Sequence, residues 1–261
     1  LKIGVITFEP MPKVYFKKNL KNFRISNISQ KKKKLEKLSV DFLIVKKFNH
    51  QFSKTKSYKF IEEILYKKLK AKYIFVSNNF RFGNKREGDV KLLKFFEKKF
   101  KYRIINPSPL KKKNKIISST SIRKLLENGQ ISTANKYLDR NWSIQGIVQY
   151  GRRLGKTIGF PTCNIDIGNY VIAKPGVYAV KILINKTKKK LSGIANLGYR
   201  PTFNQNKILL EVNIFNFKKN LYNKKLTVEF LKFIRGEKKF NGIDELKKQI
   251  KKDVKMAKKL K

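Results

Sequence analysis

The run Gly151-Arg-Arg-Leu-Gly-Lys-Thr-Ile-Gly-Phe-Pro-Thr-Cys-Asn164 constrains the fold more than any other segment, because it is a glycine-rich anion loop that cannot be a phosphate loop. Gly151 to Thr157 reads G-x-x-x-G-K-T, one residue short of the G-x-x-x-x-G-K-[ST] pattern. A phosphate loop wraps backbone N–H groups around an anion and feeds directly into a helix N-terminus. Pro161 follows six residues after Gly155, and Cys163-Asn-Ile-Asp-Ile167 alternates polar and apolar as a strand does. No helix is expected to follow. The run reads as a flap between two strands, with a hydroxyl at Thr162 and an amide at Asn164 beyond it.

The function classes open to the chain are narrowed by what it lacks. Its 261 residues, 41% of them hydrophobic, suffice for one large or two ordinary cores. There is no apolar run long enough to cross a bilayer and no secretory leader pattern, so a cytoplasmic location is expected. One cysteine, Cys163, rules out an internal disulfide framework, and one histidine, His50, rules out zinc sites built from His and Cys. His50 itself is read as a bystander. The net charge of +47, from 64 Lys and Arg against 17 Asp and Glu, would suit a nucleic-acid partner, yet it is nearly all lysine and spread from end to end. Compositional drift over solvated faces is the preferred reading; no specific nucleic-acid or membrane partner is expected.

Two grammars divide the chain near residues 139/140. Short apolar runs at 3–8, 42–45, 73–76 and 102–105 alternate with helical spacing such as Phe60, Ile61, Ile64, Leu65 and Leu69. That pattern predicts a parallel sheet with helices on its faces. A helix is expected from Thr120 as N-cap to Gly129 as left-handed C-cap, then a short one over 131–138. From Trp142 to Phe233, β-rich runs at 144–150, 176–184, 208–217 and 226–233 predict a small antiparallel barrel or sandwich. Ile243, Leu246, Ile250 and Val254 share one face of a final helix, expected to pack on it.

Taken in order, Thr7-Phe-Glu-Pro10, Asn79-Phe-Arg-Phe-Gly83 with Gly88-Asp89, Ser118-Ser-Thr-Ser-Ile-Arg123, Gly159-Phe-Pro-Thr-Cys-Asn164, Pro175-Gly-Val-Tyr178, Asn196-Leu-Gly-Tyr-Arg-Pro-Thr202, Leu210-Glu-Val212 and Leu221-Tyr222 resemble the bacterial bifunctional riboflavin kinase and FMN adenylyltransferase, or FAD synthetase, family. The resemblance covers essentially the whole chain. It implies an α/β plus β protein: an N-terminal Rossmann-like nucleotidyltransferase domain over 1–139 and a C-terminal six-stranded antiparallel β-barrel riboflavin kinase domain over 140–261 with a C-terminal helix. It further implies riboflavin, FMN and ATP as small-molecule partners, with Mg2+.

For the kinase, the flap supplies backbone donors at Gly151, Gly155 and Gly159 and charges at Arg152, Arg153 and Lys156 toward ATP. Thr162 and Asn164 fall on one face of an extended segment and are expected to share a Mg2+ through oxygen. Taken alone, Pro-Thr-Cys-Asn reads better as a turn with a capped strand. Glu211 interrupts the apolar strand Ile208 to Phe215; on its own a solvent-facing acid, by resemblance it matches the catalytic base that accepts the riboflavin 5′-hydroxyl proton. Arg235 matches an arginine near the flavin. Asn196 to Thr202 is assigned only to a wall. Cys163 replaces the family's alanine as a small buried residue, and Asn213 and Asn216 stand where the family often has His and Asp.

The adenylyltransferase set is incomplete. Asn79 and Arg81 match a flavin and nucleotide wall, and Ser118, Ser119, Thr120 and Arg123 open a helix that could hold phosphates, or be a plain N-cap. The family's first strand and its Gly-x-Phe-Asp-Gly-x-His-x-Gly-His turn have no counterpart, and Ile116 stands where the family carries arginine. A poor adenylyltransferase, or part of a good one, is therefore expected. A fully bifunctional enzyme and a basic RNA-binding protein on an inactive fold remain as alternatives.

Overall fold

The computed structural model describes the chain apart from residues 18, 113, 152, 153, 186, 188, 202–205 and 261. Contacts divide it into two compact units, residues 1–20 with 34–117, and residues 21–33 with 118–261. This division by contact is not the division by sequence grammar at 139/140. The short helices before the barrel, and a stretch near the N-terminus, pack with the barrel.

In the first unit, strands β1 (Gly4–Glu9) and β2 (Phe42–Lys47) pair in parallel, as do β3 (Tyr73–Phe75) and β4 (Arg103–Ile105). The expected parallel pairing is present, but as two separate pairs, not one continuous sheet, among the described residues. Residues Lys111–Lys112 (β5) and Lys115–Ile116 (β6) add a small hairpin. The core is aromatic: Phe60, Phe82, Phe100 and Tyr102 are buried with Ile61, Leu65, Ile74 and Leu93. The helical spacing read around Phe60 is realised as a wide-wound helix, Phe60–Lys68, with Ile61 and Leu65 inward.

The second unit is built on a closed barrel of β7 (Ser143–Gln149), β8 (Cys163–Asp166), β9 (Gly176–Ile184), β10 (Leu191–Pro201), β11 (Asn206–Ile214) and β12 (Lys225–Arg235). Its order is β10-β11-β8-β7-β12-β9, antiparallel throughout. Closure removes free sheet edges, and the period-2 alternation does the rest. Ile144, Val148, Ile165, Tyr178, Val180, Ile182, Leu197, Leu210, Val212, Leu226, Val228 and Phe230 point inward and are buried. Burying a Val, Leu, Ile or Phe side chain contributes about 1.5–3 kcal/mol, so this interior dominates the stability of the unit.

Polar groups tie the early segment to the barrel. Trp142, fully buried, donates its Nε1–H to the Ile25 carbonyl at 3.0 Å, and the Tyr170 hydroxyl donates to Gln30 Oε1 at 2.7 Å. Gln30 in turn donates to Ser143 O and Oγ. Burial pushes the Tyr170 hydroxyl up to about 12.

Helix Ser119–Glu127 is capped by Ser118, not Thr120. Ser118 Oγ accepts from the Ser121 N–H while Ser121 Oγ accepts from the Ser118 N–H, a reciprocal arrangement that Thr120, one residue inside the helix, cannot make. Gly129, at φ +73°, ends it as expected, donating to Leu126 O as Gln130 donates to Leu125 O. Helix Ile131–Leu138 follows, and helix Ile243–Lys258 closes the chain. Only the second half of this last helix packs as expected. Ile250, Val254 and Ala257 lie over Val177, Ala179 and Ile194 on the outside of the barrel, whereas Ile243 is 61% exposed. Among the described residues no helix is long and apolar enough to cross a membrane.

Candidate functional site

One transverse row of the barrel carries the candidate chemistry. The strand registers pair Gln149 with Asn164, Asn164 with Glu211, Glu211 with Asn196, Asn196 with Val177 and Val177 with Arg235. Residues directly opposite on antiparallel strands project to the same side. Because their neighbours Ile165, Leu210 and Leu197 fill the interior, this row faces out. Asn164 and Glu211, 47 positions apart in sequence, therefore stand side by side. A register irregularity between Phe233 and Arg235 marks the end of β12 beside Val177.

Against this row lies a cavity of about 460 Å³, lined by Thr162, Asn196, Glu211, Asn213 and Arg235 on the barrel side. Gly155, Ile158 and Phe160 contribute from the flap, and Phe240, Ile243, Leu246 and Ile250 from the chain's end. A second cavity, also of about 460 Å³, is lined by Val148, Pro161, Cys163, Leu221, Tyr222 and the basic Lys218. Thr162 lines both. Two ligands seated in them would meet at Thr162.

The flap is a single helical turn, Leu154–Thr157, set between β7 and β8. The expectation that no helix follows the glycines needs that correction. One turn fits ahead of Pro161 because it ends at once, with Phe160 N–H bonded back to Gly155 O and Gly159 at φ +84°. Two flap glycines are required by close approach. A Cβ on Gly151 would overlap the Asn164 amide nitrogen, and one on Gly155 would overlap the Phe160 carbonyl oxygen and lie 3.2 Å from Thr162 Oγ1. The flap thus rests directly on the two residues expected to hold a metal. Arg152 and Arg153 lie outside the described residues, as do the side chain of Lys156 and the Thr202 end of the expected wall segment.

Asn164 is 7% exposed, and its Oδ1 is a buried acceptor with no hydrogen-bond partner among the described residues. Such a group costs about 1–3 kcal/mol unless a ligand satisfies it. A neutral amide oxygen beside a hydroxyl and a carboxylate is a hard oxygen donor set of the kind Mg2+ takes together with phosphate and water, so the residues fit that ion. Asn213, 8% exposed, donates from Nδ2 to the Pro161 carbonyl at 2.7 Å and so holds the entry to the Thr162–Asn164 segment. Burial pushes the Cys163 thiol up to about 11, which leaves it protonated and unfit as a nucleophile. His50 is exposed on a short helix at 50–53.

Arg235 reaches the cavity wall, but its guanidinium is engaged elsewhere. Nε and Nη2 donate to the Asp253 carboxylate at 3.0 and 2.7 Å, and Nη1 donates to Gly236 O at 2.9 Å. Sequence reasoning missed the first half of the last helix as a cavity wall, although Ile243 and Leu246 sit on its apolar stripe. Periodicity reports which face is apolar, not what covers it.

In the first unit, Arg81 lines an aromatic cavity of about 330 Å³ with Phe8, Phe48, Phe52, Phe80 and Phe82. Arg81 also pairs with Asp89 at 3.1 Å, and the Leu92 N–H, followed by Arg81, holds the Asp89 carboxyl below its usual range. Asn79 is exposed and accepts from Ser77 Oγ. Ser118, Ser119 and Thr120 are exposed at their helix start, but Arg123 turns away: Nε donates to Phe23 O at 2.8 Å and the guanidinium stacks 3.5 Å over the Phe23 ring.

The family described as riboflavin kinase matches residues 138–261 and the family described as FAD synthetase matches residues 1–121. Proteins named bifunctional riboflavin kinase/FMN adenylyltransferase are similar over nearly the whole chain. That of Buchnera aphidicola subsp. Schizaphis graminum is 41% identical over 258 residues, covering 98% of this chain and 82% of the relative. That of Haemophilus influenzae is 39% identical over 258 residues, covering 99% and 83%. That of Escherichia coli K12 is 34% identical over 253 residues, covering 97% and 80%. Among solved structures, one titled a macrolide-efflux protein from Streptococcus pneumoniae superposes with a TM-score of 0.84 at 29% identity, covering 99% of this chain and 84% of that one.

Proposed function

The chain belongs to the bifunctional riboflavin kinase/FMN adenylyltransferase family, and on that premise we propose which residues carry its riboflavin kinase reaction. The reaction transfers the γ-phosphate of ATP to the 5′-hydroxyl of riboflavin, giving FMN and ADP. The observation that carries the assignment is the register that sets Glu211 beside Asn164, with Thr162 lining both cavities. Riboflavin occupies the cavity walled by Ile243 and Leu246, whose apolar side chains suit a flat ring system. ATP lies across the Leu221–Tyr222 cavity, with Lys218 toward its phosphates.

Phosphoryl transfer asks the protein for alignment and charge stabilisation more than for covalent chemistry. Glu211 accepts a hydrogen bond from the 5′-hydroxyl and takes its proton as the oxygen attacks, while the flap, packed through Gly155 on Thr162 and through Gly151 on Asn164 where the two cavities meet, excludes water from the transferring phosphate. Thr162 Oγ1 and Asn164 Oδ1 would hold Mg2+, which when bound supplies charge neutralisation on the β- and γ-phosphate oxygens. Arg235 belongs to the flavin wall. We place the activity in the cytoplasm, where ATP and a reducing environment suit a lone free cysteine.

Asn79, Arg81, Ser118, Ser119, Thr120 and Arg123 are proposed as the adenylyltransferase residues this sequence retains, and no FAD-forming step is derived from them. Incubating the chain with riboflavin, ATP and Mg2+ and separating flavins by chromatography tests the proposal. FMN is the expected product. Absence of FMN overturns the kinase assignment, and FAD formed from FMN and ATP would restore the second activity.

A further inference from the structure

We propose that Arg235 and Asp253 act together as positioning residues that set the flavin wall, with Arg235 working through the last helix instead of as a direct flavin contact. The inference rests on the riboflavin kinase reading of the cavity. It begins from an asymmetry of helix Ile243–Lys258. The second half is seated on the barrel through Ile250, Val254 and Ala257. The first turn is not seated: Ile243 is exposed, and Ile243 and Leu246 line the cavity, which Ile250, where the packing begins, also touches. What fixes this half-free helix at the point where packing gives way to cavity is Asp253, one turn beyond Ile250.

Asp253 is 1% exposed and is gripped from two sides. Arg235 Nε reaches both carboxylate oxygens at 3.0 Å, Arg235 Nη2 reaches Oδ2 at 2.7 Å, and Gln249 Nε2 donates to Oδ1 at 2.8 Å. Apolar packing tolerates sliding, whereas a two-pronged guanidinium–carboxylate pair fixes direction as well as distance. Its other anchor is rigid too, since Arg235 ends β12 opposite Val177, itself on the cavity wall, and Nη1 is held by Gly236 O. Three of the five guanidinium donors are spent in this way. The pair therefore fixes how far the Ile243–Leu246 wall stands from the Val177–Ile194 floor, and with it the width of the slot for a flat ring.

Riboflavin binding is thereby separated from chemistry, because the hydrogen bonds of the pair run to each other, to Gly236 and to Gln249. In Asp253→Asn and in Arg235→Lys the riboflavin KM, and the riboflavin affinity read by flavin fluorescence quenching without ATP, should each weaken by about 10-fold. The value of kcat should stay within about 3-fold and the ATP KM should be unchanged. The double variant should be no worse than either single one, since both remove the same clamp. Breaking a buried pair can unfold a protein, so Arg235→Met with Asp253→Leu, which leaves no stranded charge, serves as the folded control. It should melt like the wild type and still bind riboflavin weakly. Direct flavin contact by Arg235 would instead make Arg235→Lys the worse variant with additive effects, and that result, or an unshifted riboflavin KM in Asp253→Asn, overturns the proposal. A wild-type protein that makes no FMN refutes the kinase reading beneath it, a separate outcome in the same assay.

Discussion

Replacing Asn164 by leucine sets the stability of the barrel unit against its activity. The two side chains have the same number of heavy atoms, and Asn164 is buried with Oδ1 unpaired among the described residues. In the free protein that oxygen costs about 1–3 kcal/mol of desolvation, a penalty a methyl group does not incur. Asn164→Leu is therefore expected to stabilise the ligand-free protein by at least about 1 kcal/mol, or about 2–4 °C in the melting of the barrel unit. The reverse holds with ligand. Mg2+–ATP at 100 times its dissociation constant stabilises the wild type by about 2.7 kcal/mol, and the variant, lacking an oxygen for the ion, should gain far less and make little FMN. Differential scanning fluorimetry with and without Mg2+–ATP, alongside a flavin assay, reads both effects. A variant that melts lower than the wild type and retains turnover would refute the reasoning, because Asn164 would then be a structural residue with a satisfied oxygen.

Three further outcomes follow from the geometry. Gly155→Ala should raise the ATP KM more than Gly151→Ala, since its Cβ meets the Phe160 backbone carbonyl, which cannot swing aside, whereas at Gly151 the obstacle is the end of the Asn164 side chain; steady-state kinetics of both variants checks the order. Cys163, pushed by burial up to about 11, should resist iodoacetamide at pH 8 where an ordinary thiol reacts, and rapid labelling with loss of activity would contradict its passive role. Tyr102 and Tyr170 are both raised by burial to about 12, so above pH 10 the unfolded chain gives up their protons first. The stability these two groups contribute should be level from neutral pH to pH 10 and fall between pH 10 and 12, and urea midpoints that stay constant from pH 8 through pH 12 would count against it.

Local patterning in the sequence carried much of the fold. Helix Ile131–Leu138 falls on its predicted residues, and Ile144–Tyr150, Gly176–Ile184 and Leu226–Phe233 become β7, β9 and β12 because alternating β-branched and aromatic residues have one buried face available to them. Contact order hides the rest. That residues 21–33 pack with the barrel depends on Trp142 and Tyr170 finding Ile25 and Gln30 more than 110 positions away, which no local window reports. The flap turn at Leu154–Thr157 was illegible for the opposite reason: a single turn is too short to show a period. The candidate site was legible through motif resemblance, which put Thr162, Asn164 and Glu211 in one reaction. That Arg235 is committed to Asp253, and Arg123 to Phe23, needed side-chain geometry, because a cation's sequence position does not say which acceptor it has found.

Glu211, set beside Asn164 by the β8–β11 register, is the proposed base for riboflavin phosphorylation. Glu211→Gln keeps the size and the hydrogen-bonding outline but cannot accept the proton. Measured by FMN formation at saturating riboflavin, ATP and Mg2+, its kcat should fall by about 100-fold or more, with ATP binding retained. Turnover within a few-fold of the wild type would contradict the account.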